Sequence, residues 1–303
     1  MGDMIEIQQL TKLYGSAGIR DVSFACQPGT VTGFLGPNGA GKSTTLRLLC
    51  GLSAPDSGTA TIDGVPYTRL PQPGRRVGVM LDPTAMHVGR SGRETLGLSA
   101  EVLDAGPDRV AQILQVVGLD DKAAAKRVGQ YSLGMRQRLA LGNALLGDPG
   151  ILVLDEPANG LDPQGIHWMR TLLREFADRG GTVLLSSHLL HEVEEVADRL
   201  VIINQGRIVA DATPAQLLGA RTTLVRALDP AELVAALEQA GLPVTGSSGD
   251  ELYVDATTEQ VGRAAARAGT VLLELRPHGA DLESLFLALT AAPVAEHSPE
   301  LTR

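Results

Sequence analysis

The sequence predicts an α/β protein: a core built on a central parallel sheet, with an antiparallel β patch and a helical insertion, followed by a small α+β domain of ferredoxin-like order. Three observations carry this. "ILVLD" at 151–155, "TVLLS" at 182–186 and "LVIIN" at 200–204 are short and almost wholly apolar, as parallel strands buried on both faces are. Helix-prone stretches, Gly165–Asp178 and Leu189–Ala197, separate them, giving the alternation of a parallel sheet. From Thr222 the order becomes strand, helix, strand, strand, helix, strand, which is the ferredoxin-like arrangement.

Taken along the chain, "IEIQQL" (5–10), "VSFAC" (22–26) and "TATIDG" (59–64) are strand candidates set off by Gly and Pro; they predict the antiparallel patch. "TVTGFLG" (30–36) reads as a strand entering a glycine loop, and "KSTTLRLLCGL" (42–52) as the helix leaving it. Residues from about 88 to 148 are mostly helix-prone, with clear helical spacing in "PDRVAQILQVVGL" at 107–119, and are read as an insertion between strands. The first domain is placed at 1–220. The second, at 221–293, holds "TTLVRAL", "PAELVAALEQAG", "LPVTGS", "ELYVDA", "TEQVGRAAARAG" and "TVLLELRP", then a closing helix "ADLESLFLALT". Residues 294–303 are expected to be a loose polar tail.

Composition narrows the function. Of 303 residues, 44% are apolar and 20% charged, so a packed core is possible, but only 3% are aromatic. Leu, Val, Ile and Ala must therefore build it. The net charge of −9 argues against a nucleic-acid binder, which needs a basic face. It argues equally against purely electrostatic attachment to anionic lipid. The two cysteines, Cys26 and Cys50, are expected to be free thiols in a reducing cytosol, with one disulfide as the alternative. "MGDMIEIQQL" is not read as a signal peptide. No apolar run approaches the roughly 18–20 residues that span a bilayer.

Gly36-Pro37-Asn38-Gly39-Ala40-Gly41-Lys42-Ser43 fits the pattern G-x-x-x-x-G-K-[ST] between a predicted strand and a predicted helix. Its glycines let backbone N–H groups wrap phosphates, and the helix dipole adds positive potential. Lys42 is placed on the β- and γ-phosphates of a nucleotide and Ser43 on Mg²⁺. A chance glycine turn would lack the flanking strand and helix. "ILVLDEP" sets two carboxylates at the end of a buried strand, where ligands of open α/β sheets bind. Asp155 is a candidate for Mg²⁺, and Glu156 for orienting or deprotonating the attacking water; a plain strand cap is the alternative. His188 follows "TVLLS", a strand expected beside that of Asp155, and would stand near the γ-phosphate; a structural histidine is the alternative. His87, His167 and His191 are read as structural. "YSLGMRQR" (131–138) adds a puzzle: Ser132 and Gly134 at a predicted helix start resemble half of a second anion site, with no lysine in it.

"GPNGAGKST", "YSLGMRQR", "ILVLDEP", "NGLDP" and "SSH", in this order, resemble the ATP-binding subunit of an ABC transporter over roughly residues 4–215. The resemblance implies an ATPase with ATP and Mg²⁺ as cofactors. Gly36, Pro37, Asn38, Gly39, Ala40, Gly41, Lys42, Ser43 and Thr44 would grip the phosphates, and His188 would be the family's switch histidine. Tyr14, in "TKLYGS", would stack on adenine; the alternative is an ordinary strand-end tyrosine. The resemblance also resolves the puzzle. In this family two such domains meet head to tail, as a homodimer or paired subunits, and the segment holding Ser132 and Gly134 serves the ATP gripped by the other chain. Leu133 and Met135 depart from the family's usual Gly and Gln there.

That variant, with "DEPANGLDPQG" and "LESLFLALT", is similar to the stand-alone ATPases of bacterial multidrug and antibiotic exporters. It implies export of drugs, antibiotics or lipid-like compounds through separate integral-membrane subunits, from a cytoplasmic position on the inner face of the membrane, with no nucleic acid and no direct lipid binding. The insertion at roughly 88–128 would touch the membrane subunit. In "RRVGVMLDP" the family's Mg²⁺-contacting glutamine falls on Asp82; the alternative is a turn former before Pro83. Two other classes stand against this reading. A soluble relative acting on ribosomes or DNA would carry two phosphate loops or long heptad insertions. A non-catalytic binding module would have no use for Lys42, Asp155, Glu156 and His188 together.

Overall fold

The structure is a computed structural model that describes residues 4–15, 17–217, 222–277 and 282–291. The chain opens with β1 (Ile5–Tyr14), β2 (Ala17–Cys26), β3 (Val31–Leu35), α1 (Lys42–Leu49), β4 (Ser57–Ile62), α2 (Pro73–Arg76) and β5 (Val77–Met80). Next come the insertion helices α3 (Gly92–Val102), α4 (Pro107–Val116), α5 (Asp121–Ala125) and α6 (Leu133–Leu145). They are followed by β6 (Ile151–Asp155), α7 (Pro163–Asp178), β7 (Thr182–Ser187), β8 (Arg199–Asn204), β9 (Arg207–Ala212) and α8 (Pro214–Leu217). Two compact units result: one runs through Pro214 and resumes at Phe286, the other is Ala215–Leu285. The domain boundary expected at 220 and the tail at 294–303 lie outside the described residues.

The first unit holds a six-stranded sheet in the order β5-β6-β7-β3-β8-β9, parallel except for the β8–β9 pair. Every residue of β3, β6 and β7 is buried, as their unbroken apolar runs require. The antiparallel patch is a separate sheet, β2-β1-β4. Its inward residues Ile5, Ile7, Leu10, Ile19 and Val22 share one cluster with Leu46 and Leu49 of α1 and with Val153, Leu184 and Val201 of the parallel sheet. That shared core holds α1, and the loop before it, between the two sheets.

Three expectations need correction. β1 runs on to Tyr14 because register shifts between Ile7 and Lys12 break its alternation without ending the pairing, with Gln9 at a φ of 48°. β9 adds a strand that the sequence pattern does not predict. It pairs with β8 through a two-residue turn in which Gln205 and Gly206 have φ of 47° and 79°, the primed turn that suits hairpins. The helix expected at 189–197 is a single 3₁₀ turn at Leu190–Glu192. There the Ser187 hydroxyl bonds the Glu192 carboxylate at 2.5 Å and accepts from the Leu189 N–H at 3.0 Å, and such local side-chain bonding competes with a regular helix.

In the second unit, β10 (Thr222–Ala227), α9 (Pro230–Gln239), β11 (Val244–Ser248), β12 (Glu251–Asp255), α10 (Thr258–Ala268) and β13 (Leu272–Pro277) precede α11 (Leu282–Ala291). The sheet order is β11-β12-β10-β13, antiparallel throughout, as the ferredoxin-like reading requires. Val225, Leu233, Leu237, Val254, Val261 and Ala265 form its core. The end of α11 belongs to the first unit instead: the Asn204 amide donates to the Leu289 and Thr290 carbonyls at 3.2 and 3.1 Å. Cys26 and Cys50 are buried free thiols, each pushed up to about 12 by burial.

Within the first unit, Gly206 ties the β8–β9 hairpin to β2 and to the loop before α1. Its N–H donates to the Ala40 carbonyl at 2.9 Å, and its carbonyl accepts from the Arg20 N–H at 2.8 Å. A Cβ there would meet the Gly18 carbonyl oxygen at 2.1 Å. Gly206→Ala should lower stability in urea melts by about 2 kcal/mol or more. Gly64→Ala, with a similar φ of 75° but open space around the Cβ, should cost only the left-handed backbone strain of about 1 kcal/mol.

Candidate active site

The phosphate loop begins where β3 stops. Gly36 is pressed so close to the end of β8 that a Cβ would lie 2.3 Å from the Ile203 carbonyl oxygen. The loop then turns into α1, which starts at Lys42. The Lys42 side chain folds back: its Nζ donates to the Gly36 carbonyl at 2.7 Å and the Pro37 carbonyl at 3.3 Å. Lys42 is only 5% exposed, and a cation so buried requires an anion beside it. The anion is Glu156, with Oε1 3.2 Å from Nζ.

Strand register makes that meeting possible. β7 lies between β3 and β6, with Leu35 opposite Ser187 and Asp155 opposite Ser186. The three strands therefore end together and deliver Gly36, Glu156 and His188 to one edge, where open α/β sheets bind ligands. Glu156 has a φ of 49°, a left-handed conformation that costs a non-glycine residue about 1–2 kcal/mol. Hydrogen bonds hold it there. Its N–H donates to the Ser186 hydroxyl at 3.0 Å, and that hydroxyl donates to Asp155 Oδ1 at 2.5 Å. Its carbonyl accepts from the Asn159 N–H at 3.2 Å and from the Gln137 amide at 3.3 Å. Its second carboxylate oxygen lies 2.8 Å from His188 Nδ1. With the carboxylate as acceptor, Nδ1 carries the proton of this bond.

These groups share a cleft of about 360 Å³ with Tyr14, Asn38, Gly39, Gly41, Ser43 and Thr44. Tyr14 is 55% exposed, with its hydroxyl 3.5 Å from that of Ser53. Asp155 sits behind Glu156 and is largely buried. Among the described residues no three His, Cys, Asp or Glu side chains gather into a metal cage. Mg²⁺ does not require one, since it is held by one or two protein oxygens together with substrate phosphates.

Two predicted groups stand apart. Asp82 does not line the cleft. Its Oδ1 accepts from the Thr84 hydroxyl at 2.6 Å and the Thr84 N–H at 2.8 Å, bonds that hold its carboxyl below the usual carboxylate range. Its oxygen thus serves a turn before α3, the geometry of the alternative reading. Ser132 and Gly134 are also absent from the cleft lining. Ser132 caps α6, accepting from the Met135 N–H at 3.2 Å. Gly134 lies against the Gly160 carbonyl, and Leu133 packs on Gly160 itself, so the "NGLDP" turn supports this helix start.

Sequence reasoning missed Ser186 and Gln137. Each is a polar residue at a buried position, Ser186 in an apolar strand and Gln137 on α6. That mismatch was the available signal.

A family model described as ABC transporter matches residues 19–159, and a domain of unknown function matches residues 221–283. The chain is 38% identical over 300 residues to Nod factor export ATP-binding protein I of Burkholderia lata, covering 94% of this chain and 96% of that one. It is 38% identical over 215 residues to bacitracin transport ATP-binding protein BcrA of Bacillus licheniformis, covering 70% of each. A solved ATP-binding subunit of an ABC transporter superposes with a TM-score of 0.65 at 28% identity, over 71% of this chain and 91% of that one. Together with the lysine, carboxylate and histidine gathered at the strand ends, these likenesses show that the chain belongs to the ABC transporter family, as one of its ATP-binding, ATP-hydrolysing subunits.

Proposed function

We propose that this chain powers export of a drug-like, antibiotic or lipid-like compound through separate integral-membrane subunits, by closing on a second copy or a paired subunit around ATP. The observation that carries the hydrolytic part is the Glu156 carboxylate, held between Lys42 and His188 at 3.2 and 2.8 Å. In this reading the loop amides and Lys42 take the β- and γ-phosphates, whose oxygens compete with Glu156 for the Lys42 ammonium. Glu156 accepts the proton of the attacking water, and His188 keeps that carboxylate aimed. In this reading Tyr14, exposed at the rim of the cleft, stacks on the base.

Ser43 and Asp155 fit Mg²⁺: both offer hard oxygens, one in the first turn of α1 and one at the strand end. The ion would offset charge between the phosphates. Asp82 reaches it only if its turn with Thr84 opens. The half-site at Ser132 and Gly134 serves the nucleotide of the other chain, which explains why it has no lysine of its own and why it stands outside the cleft.

The names of the two relatives, a Nod factor exporter component and a bacitracin transport component, support export. Among the described residues no helix is long and apolar enough to cross a membrane. The chain works at the inner face of the cell membrane, held by a protein contact through the insertion at 88–128. Neither nucleic acid nor bare lipid is its partner. The second domain, at 221–293, regulates or stabilises the dimer.

Three outcomes are expected. Glu156→Gln should bind ATP but turn it over about 100-fold or more slowly, the scale of a lost general base, and should gather as a dimer in light scattering with Mg-ATP. Near-parental turnover would remove Glu156 from the role. Ser132→Arg and Lys42→Ala chains should each be inactive alone and partly active when mixed. Absence of recovery despite heterodimer formation would count against a shared site. Coexpression with its membrane subunit should bring the chain into the membrane pellet, and anionic liposomes alone should not. Recovery on ribosomes or DNA, with no membrane partner, would overturn the export reading.

A further inference from the structure

Gln137 lies on α6 five residues beyond the Ser132 cap, about 7.5 Å further along the helix axis. It is 3% exposed. Its Nε2 donates to the Glu156 carbonyl, while its Oε1 has no hydrogen-bond partner. A buried amide with half its bonding capacity unmet is less stable than an apolar side chain of the same size. Packing therefore gives no reason for an amide at this position.

The bond lands on the residue whose conformation most needs support. Glu156 is left-handed without being glycine, and its carboxylate must stay between Lys42 and His188. Ser186 and Asn159, which also hold its backbone, come from the adjacent strand and from the turn that follows Glu156 itself. Of the three, Gln137 alone comes from the helix whose first turn is the half-site.

We propose that Gln137 is a positioning residue that makes the aim of Glu156 in one chain depend on how that chain's own α6 is seated. This rests on the shared-site reading above. α6 begins at the Ser132 cap, so Gln137 ties the helix that carries the half-site to the Glu156 of its own chain.

The test uses the full chain. Gln137→Met keeps length and volume but cannot donate; Gln137→Asn keeps the amide but falls one methylene short. Both should lower kcat by on the order of 10- to 100-fold, the scale of a small misplacement of a catalytic group, with the KM for ATP and the thermal midpoint little changed. Mixed dimers then locate the effect. In a Lys42→Ala plus Ser132→Arg dimer, the working site uses the phosphate loop and Glu156 of the Ser132→Arg chain. Adding Gln137→Met to that chain should abolish the recovered activity. Adding it to the Lys42→Ala chain, whose own Glu156 is idle, should leave the recovery intact. Loss that follows the Lys42→Ala chain, equal loss from both, or no loss would overturn the proposal. If the parent mixture shows no recovery, the shared-site reading fails by itself. The kcat–KM split of the single variants then decides whether Gln137 positions Glu156, and a raised KM with unchanged kcat would refute it.

Discussion

The contact between Lys42 and Glu156 sets the terms for everything around it. A lysine this buried must have an anion, and breaking such a buried pair costs about 3–5 kcal/mol. The partner is reachable only because β3, β7 and β6 are adjacent and end together. The same carboxylate also holds His188. One side chain thus neutralises the phosphate-loop lysine and fixes the histidine, and the left-handed backbone at Glu156 is the local strain that lets it face both. The hydrogen bonds from Ser186, Asn159 and Gln137 are the supports that such strain needs to persist.

Packing extends that constraint outward. α1 is held between the parallel sheet and the antiparallel patch by one continuous core, so the loop before it cannot shift without disturbing both. Gly206 adds a direct link from the hairpin of β8 and β9 to the loop and to β2. On the other side, α6 lies against β5 and sends Gln137 to the Glu156 backbone. The helix that opens at Ser132 is therefore tied by a hydrogen bond to the Glu156 of its own chain.

Much of this was legible in the sequence, for identifiable reasons. β6, β7 and β8 announce themselves because burial on both faces leaves them apolar except at their ends. The phosphate loop is legible because its ligands are contiguous and need only one turn of backbone. β9 escaped because every residue in it is half-buried, which leaves neither an apolar run nor an alternation to find. The stretch at 189–197 looked helical from its apolar spacing, but Ser187 and Glu192 bond each other and tighten it to one 3₁₀ turn. Glu156 and His188 were each visible as polar residues after apolar runs, yet their 2.8 Å contact spans 32 residues and comes from strand register. The bonds of Ser186 and Gln137 to Glu156 likewise cross between elements, which no local pattern records.

One chain brings Lys42, Glu156 and His188 together at 3.2 and 2.8 Å, while Ser132 and Gly134, proposed above to serve a second chain, stand outside that cleft. The direct measurement is the ATP turnover per chain as the protein is diluted at saturating Mg-ATP, with association followed in parallel by light scattering. A shared site predicts turnover per chain that falls on dilution in step with the loss of dimer. Turnover per chain that stays constant into the range where every chain is a monomer would contradict it.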